Sequence, residues 1–336
     1  MNKKNIVIFG ATGGVGAYTA LYLKENGYNV FAVGHRKSDN GFFKDYGIDY
    51  YSVNIINKDS FNVLPKDNIY AVIHLAGVLP ARMENYYPQK YIDANITGTL
   101  NVLEYSRSVN IKKFVFANTL ADVYYLCGGT DLISADAISK FPIDSDHSVY
   151  TITKNTAVSL IEHYSYKYNF THFVIRFANI FMYHPDPFFY KNGKKKAKGL
   201  YNIIKQAEKG EDIELWGNPQ RIRDSFYVKD CTQLIEKCLS SESQGGKFNV
   251  GTGIGLSRQK QIEGIIEVFC PNDHKSKIIF RPDLPDSPQF MLDISKNIKE
   301  LNFKPKYDYI SYLEDFKHEK ENNTFEKIWG KEEDYI

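Results

Sequence analysis

Long apolar runs are absent from this chain of 336 residues. No stretch approaches the roughly 20 apolar residues of a membrane-spanning helix. The N-terminal apolar run, Ile6 to Phe9, is too short for the core of a signal peptide. The four cysteines form no Cys-x-x-Cys pair and have no ligand-spaced histidines, so neither a disulfide framework nor a metal site is predicted. We therefore expect a cytoplasmic protein.

Charge of one sign is also scarce, because the net charge is only +2. This balance argues against nucleic acid or an anionic membrane surface as the main partner. Aromatic residues, in contrast, are abundant, with 25 Tyr and 22 Phe. A motif that uses tyrosine must therefore be supported by its position in the fold as well as by its spacing.

Short β-rich runs alternate with helical patterns in the first half of the chain, and the runs are almost continuously apolar. This order predicts a doubly wound, Rossmann-type α/β fold, in which helices cover both faces of a parallel sheet. The predicted strands are Asn5–Phe9, Asn29–Val33, Ala71–Leu75, Lys113–Ala117 and His172–Phe177, and the predicted helices are Val15–Glu25, Asn95–Val109 and Tyr150–Tyr168.

A glycine-rich turn connects the first predicted strand to the first helix, with the sequence Gly10-Ala-Thr-Gly13-Gly-Val-Gly16. In this context Gly10 permits a tight turn, Gly13 lets the backbone approach a pyrophosphate, and Gly16 lets helix and strand pack closely. The helix N-terminus favours the negative charge of the phosphates. The turn therefore predicts a dinucleotide site.

The second predicted strand is followed by Gly34-His-Arg-Lys37 and has no acidic residue to accept hydrogen bonds from the ribose hydroxyls of NAD. Arg36 and Lys37 are instead suited to the 2′-phosphate of NADP. We expect NADP as the leading cofactor, with NAD as the alternative.

The spacing Tyr-x-x-x-Lys occurs four times, and only Tyr150 and Lys154 lie at the start of a helix that follows the strand Lys113–Ala117. Residues four apart share a helix face, so the ammonium group can lie beside the phenol and lower its pKa. Thr119, just after the same strand, offers a hydroxyl to orient a substrate oxygen. We expect Tyr150 to exchange a proton with the substrate while a nicotinamide exchanges a hydride.

These motifs, taken together and in this order, resemble the extended short-chain dehydrogenase/reductase family, often labelled NAD-dependent epimerase/dehydratase. The resemblance covers about residues 5–315. It includes the glycine turn, the Tyr150/Lys154 pair and several further blocks. Those blocks are Val72-Ile-His-Leu-Ala-Gly77, Asn95-Ile-Thr-Gly-Thr-Leu-Asn-Val, Arg176-Phe-Ala-Asn179, Arg223-Asp-Ser-Phe-Tyr-Val-Lys-Asp230, Phe248-Asn-Val-Gly-Thr-Gly253 and Arg281-Pro-Asp.

The resemblance implies a site residue by residue. Thr119, Tyr150 and Lys154 would be catalytic, and Asn179, Arg223 and Arg281 would hold the diphosphate of a nucleotide sugar. Alternatively, the two arginines pair with Asp224 and Asp283. The lysine cluster at 191–198 would assist phosphate binding or, as we favour, form a solvated, mobile loop. The implied cofactor contacts are Gly10, Thr12, Gly13, Val15, Gly16, Arg36, Lys37, Ile55, Leu75, Ala76, Gly77, Asn95, Tyr150 and Lys154.

Departures from the family pattern narrow the expected reaction. Dehydratases place Asp-Glu after the hydroxyl residue, and the fucose-synthase-like branch places a Cys two residues after it. Here Leu120 and Ala121 follow Thr119, so both chemistries are disfavoured. Hydride transfer at one sugar carbon, with C4 favoured, remains, either as epimerisation or as 4-ketoreduction. A non-catalytic dinucleotide-binding sensor or scaffold is the alternative from a different class.

The resemblance also implies an organisation in three parts. Residues 1–177 would form the NAD(P)-binding domain, and residues 178–316 a smaller α/β substrate-binding region that is partly interleaved with it. Residues 317–336 are charged and poor in aliphatic side chains, so we expect a surface segment or a tail. A homodimer is expected, with the helices Asn95–Val109 and Tyr150–Tyr168 as its contact.

Overall fold

The computed structural model describes residues 3–145, 147–191 and 193–336. None of the helices in these ranges is long and apolar enough to cross a bilayer. The strands are β1 (Asn5–Phe9), β2 (Asn29–Gly34), β3 (Asp49–Ser52), β4 (Ile69–His74), β5 (Lys113–Thr119), β6 (Leu132–Ile133), β7 (Thr171–Phe177), β8 (Ile180–Phe181), β9 (Phe188–Lys191), β10 (Lys194–Ala197), β11 (Ile213–Trp216), β12 (Ile222–Asp224), β13 (Phe226–Tyr227), β14 (Gly246–Val250), β15 (Gly255–Ser257), β16 (Ile278–Arg281) and β17 (Met291–Leu292).

The α-helices lie between some of these strands and after the last one. They are α1 (Gly14–Glu25), α2 (Phe42–Asp45), α3 (Pro88–Tyr91), α4 (Gly98–Ser108), α5 (Ser148–Tyr168), α6 (Gly199–Glu208), α7 (Val228–Ser240), α8 (Arg258–Phe269), α9 (Ser295–Leu301), α10 (Tyr309–Asn322) and α11 (Glu326–Trp329). A π-helical turn, Ile92–Thr97, leads into α4, and a 3₁₀ segment, Leu120–Leu126, follows β5.

Seven parallel strands form the central sheet, in the order β14-β7-β5-β4-β1-β2-β3. The doubly wound α/β fold predicted from the sequence is therefore confirmed. Strand β1 lies between β2 and β4, so the direction of winding reverses between β1 and β4. In sheets of this kind, ligands bind outside the carboxyl ends of the strands at such a reversal.

Both faces of the sheet are buried, which explains why its strands are almost continuously apolar. Along β1 the side chains alternate: Ile6 and Ile8 belong to one core cluster, and Val7 and Phe9 belong to another. Helices α1 and α7 pack together over the first cluster, and α4 packs with α5 over the second.

In the described residues, five two-stranded sheets accompany the central sheet. One of them is the antiparallel hairpin β9–β10, which carries the lysine cluster. Lys194, Lys195 and Lys196 lie on β10 and are exposed. The expectation of a mobile loop is therefore wrong for these lysines, because the ladder with β9 fixes their backbone, although their side chains are solvated.

The C-terminal residues pack against the dinucleotide-type half of the fold. Phe325, Ile328 and Trp329 are 2%, 2% and 3% exposed, respectively. The Phe325 ring lies 4.4 Å from that of Tyr18 on α1 and 5.5 Å from that of Phe42 on α2. The expectation of a surface segment or tail is wrong here, because one turn of helix collects three large apolar side chains on one face. We name residues 323–330 the C-terminal strap.

Replacing Phe325 with Ala should lower the free energy of unfolding by about 3–4 kcal/mol, because it leaves a cavity among buried aromatic rings. Urea unfolding measures the change. Lys327→Ala is the matched control in the same strap, since the Lys327 side chain is half exposed and forms only a surface ion pair with Asp45. A loss below about 1 kcal/mol for Phe325→Ala would show that the strap does not contribute to the fold.

Candidate active site

The glycine turn lies at the carboxyl end of β1, against the loop that follows β4. Gly10 adopts a left-handed conformation, with φ of 87°. A Cβ atom there would lie 2.7 Å from the backbone nitrogen of Ala76, so only glycine fits this close approach. The Leu75 N–H donates to the Phe9 carbonyl at 2.9 Å and holds the second loop in place.

The N-terminus of α1 begins directly after this turn. The Gly13 N–H donates to the Gly10 carbonyl at 3.0 Å, and no side chain caps the helix. Gly13 is exposed and Val15 is half-buried, whereas Thr12 and Gly16 are buried. An uncapped helix N-terminus, approached by a glycine turn that leaves room for a ligand, fits the pyrophosphate of a dinucleotide.

Asn95 connects the loop after β4 to helix α5. Its side-chain oxygen accepts from the Val78 N–H at 2.9 Å, and its amide nitrogen donates to Thr153 Oγ1 at 3.2 Å. A Cβ atom on Gly77 would lie 2.8 Å from the Asn95 oxygen. The amide is 2% exposed and lies in the π-helical turn, a deviation that is frequent at functional sites.

The remaining expected cofactor residue, Ile55, follows β3 and is half-buried. Its carbonyl accepts from the Asn101 side chain on α4 at 2.8 Å. Its side chain packs so closely on Gly98 that a Cβ atom there would lie 2.6 Å from it. Ile55 thus lies at the carboxyl edge of the sheet, as the glycine turn does.

Thr119, Tyr150 and Lys154 are brought together by β5 and α5. Thr119 is the last residue of β5, and its hydroxyl lies near enough to the Tyr150 phenol to lower the pKa of that phenol. Tyr150 and Lys154 are 8% and 7% exposed on the face of α5 that meets the sheet. The ring of Tyr91 lies 6.0 Å from that of Tyr150.

Burial dominates the electrostatics of this group. It raises the pKa of Tyr150 to about 12, with a smaller contribution from the Asp122 charge, whereas the nearby Thr119 hydroxyl lowers that pKa. Burial lowers the pKa of Lys154 to about 7. The Lys154 amine lies 3.9 Å from the centre of the Phe116 ring. The expectation that Lys154 lowers the phenol pKa is therefore wrong for this structure, because burial raises that pKa and Lys154 is not among the groups that shift it.

His74 on β4 lies near the same amine and is fully buried. Burial, together with the nearby charge of Lys154, lowers its pKa to about 3. Its Nε2 atom is 3.0 Å from the Thr99 hydroxyl, which in turn donates to the Asn95 carbonyl at 2.7 Å. His74 is therefore a neutral part of the core that supports the Asn95 turn.

A buried ion pair, which the sequence motifs did not reveal, fixes the segment after Thr119. Arg176 Nε donates to Asp122 Oδ1 at 2.9 Å, and Arg176 Nη2 donates to Asp122 Oδ2 at 3.2 Å. The guanidinium also reaches the Ala135 carbonyl at 3.0 Å. Both carboxylate oxygens are engaged, so Asp122 is not a free acid or base beside the catalytic group. In the sequence, the only signal for this ion pair was the position of Asp122, three residues after Thr119.

The expected substrate residues lie on the second half of the chain. Asn179 is exposed after β7. Arg223 on β12 donates from Nη2 to the Pro288 carbonyl at 2.9 Å rather than to Asp224, which accepts from the Thr252 N–H at 2.8 Å. Arg281, in contrast, pairs with Glu214 at 2.7 Å and with Asp283 at 3.6 Å. The pair with Asp283 is the alternative that the sequence analysis gave for this arginine.

Arg258, the first residue of α8, was missed by the sequence motifs. Its N–H donates to the Arg221 carbonyl at 2.9 Å, which places it beside β12. Burial lowers the pKa of Arg258, and the charge of Arg223 lowers it further. Arg221 pairs with Asp286, but within the described ranges neither Arg223 nor Arg258 has a carboxylate within salt-bridge distance. Two adjacent, half-buried positive charges without a counterion favour an anion.

The two basic residues after β2 are exposed, and one of them is engaged by the strap. Arg36 Nη1 donates to the Ile328 carbonyl. Trp329 Nε1 donates to the Thr12 carbonyl of the glycine turn at 3.0 Å. Lys37 makes no such contact with the strap in the described part of the chain. The strap thus lies beside the end of β2, where the adenosine ribose is bound in this fold.

The fold and these groups define a Rossmann-type α/β protein with a glycine-turn nucleotide site and a Thr–Tyr–Lys group at the same strand edge. Residues 6–251 match the NAD dependent epimerase/dehydratase family. The chain belongs to this family, as the sequence motifs predicted.

Named relatives agree with this assignment. The UDP-glucuronate 4-epimerase of Thermodesulfobacterium geofontis is 25% identical over 312 residues, covering 89% of this chain and 90% of the relative. The UDP-glucose 4-epimerase of Thermotoga maritima, solved with UDP-glucose, matches with a TM-score of 0.72 and 23% identity over 95% of this chain and 99% of that one. MoeE5, solved with UDP-glucuronic acid and NAD, matches with a TM-score of 0.68 and 21% identity over 92% and 96%.

The lowered pKa of Lys154 predicts how stability depends on pH. The folded state releases this proton near pH 7, whereas the unfolded chain keeps it up to about 10.5. Between these values the unfolded state binds more protons, so stability should rise with pH, by at most about 1.4 kcal/mol per pH unit.

Urea unfolding of the wild type and of Lys154→Met between about pH 7 and pH 9 tests this linkage. The variant should lose most of the rise. Lys167→Met, an exposed position on the same helix, should keep it. Parallel pH profiles for the wild type and Lys154→Met would contradict the prediction.

Proposed function

We propose that this protein is an NAD-dependent nucleotide-sugar 4-epimerase in which Tyr150 acts as the general acid and base. The Thr119 hydroxyl beside the Tyr150 phenol, at the strand edge that also carries the glycine turn, is the observation that supports the proposal most directly. A 4-ketoreductase is the second candidate, because it needs the same three side chains.

In the proposed reaction, the sugar hydroxyl donates a hydrogen bond to the Tyr150 oxygen and accepts one from Thr119. When bound, a nicotinamide supplies a hydride acceptor and later a hydride donor at the same sugar carbon. Tyr150 takes the hydroxyl proton as the carbon is oxidised and returns a proton to the carbonyl oxygen as the carbon is reduced on its other face.

Lys154 acts on this proton transfer through its charge. With a pKa of about 7, the amine can be protonated near neutral pH at little cost. A protonated amine and an oxidised nicotinamide both favour the phenolate form of Tyr150 and oppose the effect of burial. Burial therefore keeps the phenol protonated in the free protein, and positive charge in the complex favours the phenolate, the form that can accept the hydroxyl proton.

Dehydration is disfavoured by the residues around Thr119. Leu120 and Ala121 follow it and supply neither an acid nor a base, and the carboxylate of Asp122 is occupied by Arg176. The names of the relatives favour epimerisation over ketoreduction, and the complex of MoeE5 favours NAD over NADP. We propose NAD as the cofactor and a UDP-sugar as the substrate on this basis.

For the diphosphate we propose Arg223 and Arg258, together with Asn179. Arginine forks match phosphate oxygens in bidentate geometry, and these two guanidinium groups have no carboxylate partner in the described ranges. Arg281 is a weaker candidate than the motif suggested, because Glu214 and Asp283 already neutralise its charge.

We also propose a homodimer that forms through α4 and α5. Leu100 on α4 and Ile152 on α5 are 37% and 40% exposed, and Ile92 in the adjoining π-helical turn is 40% exposed. Burying these three side chains against a second copy would remove apolar surface from water, which favours association.

Conversion of UDP-sugars tests the proposed reaction directly. The purified protein should interconvert a UDP-sugar and its 4-epimer without added dinucleotide, as measured by chromatography of the products. Tyr150→Phe should lower kcat by about 10²–10⁴, because proton transfer loses its acid and base.

Tyr201→Phe is the control for this experiment, since Tyr201 is the first residue of another Tyr-x-x-x-Lys pair and its hydroxyl donates to Glu332 at 2.8 Å. It should retain activity. Net consumption of NADH or NADPH without formation of an epimer would identify a ketoreductase. Near wild-type turnover by Tyr150→Phe would overturn the mechanism.

Arg258→Gln should weaken binding of UDP by about tenfold or more, because a charge-assisted contact to phosphate is lost. Arg281→Gln should change it by about threefold or less, since an exposed, paired arginine contributes little. Calorimetric titration with UDP and with uridine measures both effects. Uridine affinity should be unchanged in either variant, and equal losses of UDP affinity in both would contradict the assignment.

A further inference from the structure

The C-terminal strap touches the proposed cofactor site at two points. One is the carbonyl of Thr12 in the glycine turn, which accepts from Trp329 Nε1 at 3.0 Å. The other is Arg36, two residues beyond the end of β2, which donates to the Ile328 carbonyl. The strap therefore lines the adenosine end of the proposed cofactor site, and it is also a part of the hydrophobic core.

Arg36 is held in this position from several sides. Its own carbonyl accepts from the Tyr50 hydroxyl at 2.6 Å. The same loop is tied to the strap again by Asn40 Nδ2, which donates to the Lys327 carbonyl at 2.7 Å. The loop after β2 and the strap thus form one hydrogen-bonded unit, and the direction of the guanidinium depends on where the strap lies.

Aromatic packing fixes the strap itself. The Trp329 ring stacks on that of His184 at 4.6 Å and lies 4.3 Å from that of Phe325. Trp329 is therefore the anchor that holds the Ile328 carbonyl against Arg36.

An arginine beside the end of the second strand would ordinarily accommodate the 2′-phosphate of NADP. Here the guanidinium is directed to a backbone carbonyl, whose oxygen carries partial negative charge and would repel a phosphate placed there. We propose that the C-terminal strap selects NAD over NADP by holding Arg36 away from the ribose. The inference rests on the proposed dinucleotide site and names the element that sets its preference.

Binding of NAD and of NADP to the full-length protein tests the inference. Bound dinucleotide is first removed from each protein, and titration calorimetry is then carried out on the wild type, Trp329→Ala, Arg36→Gln and the variant that combines both substitutions. Releasing the strap should tighten NADP about tenfold relative to NAD, because a charge-assisted contact becomes available. In the double variant this gain should be absent. Arg36→Gln alone should change NADP affinity by about twofold or less, since Arg36 is already engaged.

Two further variants control for loss of packing. Trp329→Phe keeps an aromatic ring but loses the N–H donor to Thr12. It should therefore shift the preference towards NADP, as Trp329→Ala does, with less effect on folding than Trp329→Ala. Lys331→Ala, which removes an exposed ion pair with Glu326, should shift nothing.

The outcomes are distinct. An unchanged ratio of the NADP to the NAD dissociation constant in both Trp329 variants overturns the inference, as does a gain in NADP affinity that survives Arg36→Gln. If the wild type binds neither dinucleotide, the proposed function fails and the inference fails with it.

Discussion

The buried side-chain amide of Asn95 forms three hydrogen bonds, accepting one and donating two, and these bonds hold the two sides of the candidate site together. They join Val78, beside the glycine turn, to Thr153, which precedes Lys154 on α5. An amide in the interior must satisfy both its donors and its acceptor, so its partners cannot move independently without a cost. Asn95 thereby ties the loop beside the glycine turn to the helix that carries Tyr150, and the proposed chemistry depends on how these two parts are placed.

Buried charge distinguishes what is structural in this protein from what is available to a ligand. Arg176 and Asp122 are fully buried, but they satisfy each other, so they fix a segment and offer nothing to a substrate. Arg223 and Arg258 are less buried and lack such a carboxylate, so their unbalanced charge makes them candidates for phosphate. By the same reasoning Arg281 is a weaker candidate for phosphate binding, because acidic residues already neutralise its charge, although its motif resembled the family pattern.

The C-terminal strap adds a feature outside the region that matches the family, residues 6–251. Its aromatic side chains complete the core on α1 and α2, and its backbone carbonyls meet the loop after β2. A basic residue that pointed to NADP in the sequence therefore has a partner from the far end of the chain. If the strap sets the cofactor preference as proposed, stability and preference are connected, since Trp329 anchors the strap in both roles.

The order of elements, the glycine turn and the Thr119–Tyr150–Lys154 group were predictable from local sequence, because backbone periodicity and helix spacing depend on near neighbours. The residues that form ion pairs or remain unpaired were not, since Arg176 with Asp122 and Arg36 with Ile328 are separated by 54 and 292 positions. The pKa of Tyr150 also escaped prediction, because burial depends on every element packed around the phenol, and these elements come from distant parts of the chain. Local pattern determined the architecture and the candidate site residues, and only the tertiary structure decided their charge states and partners.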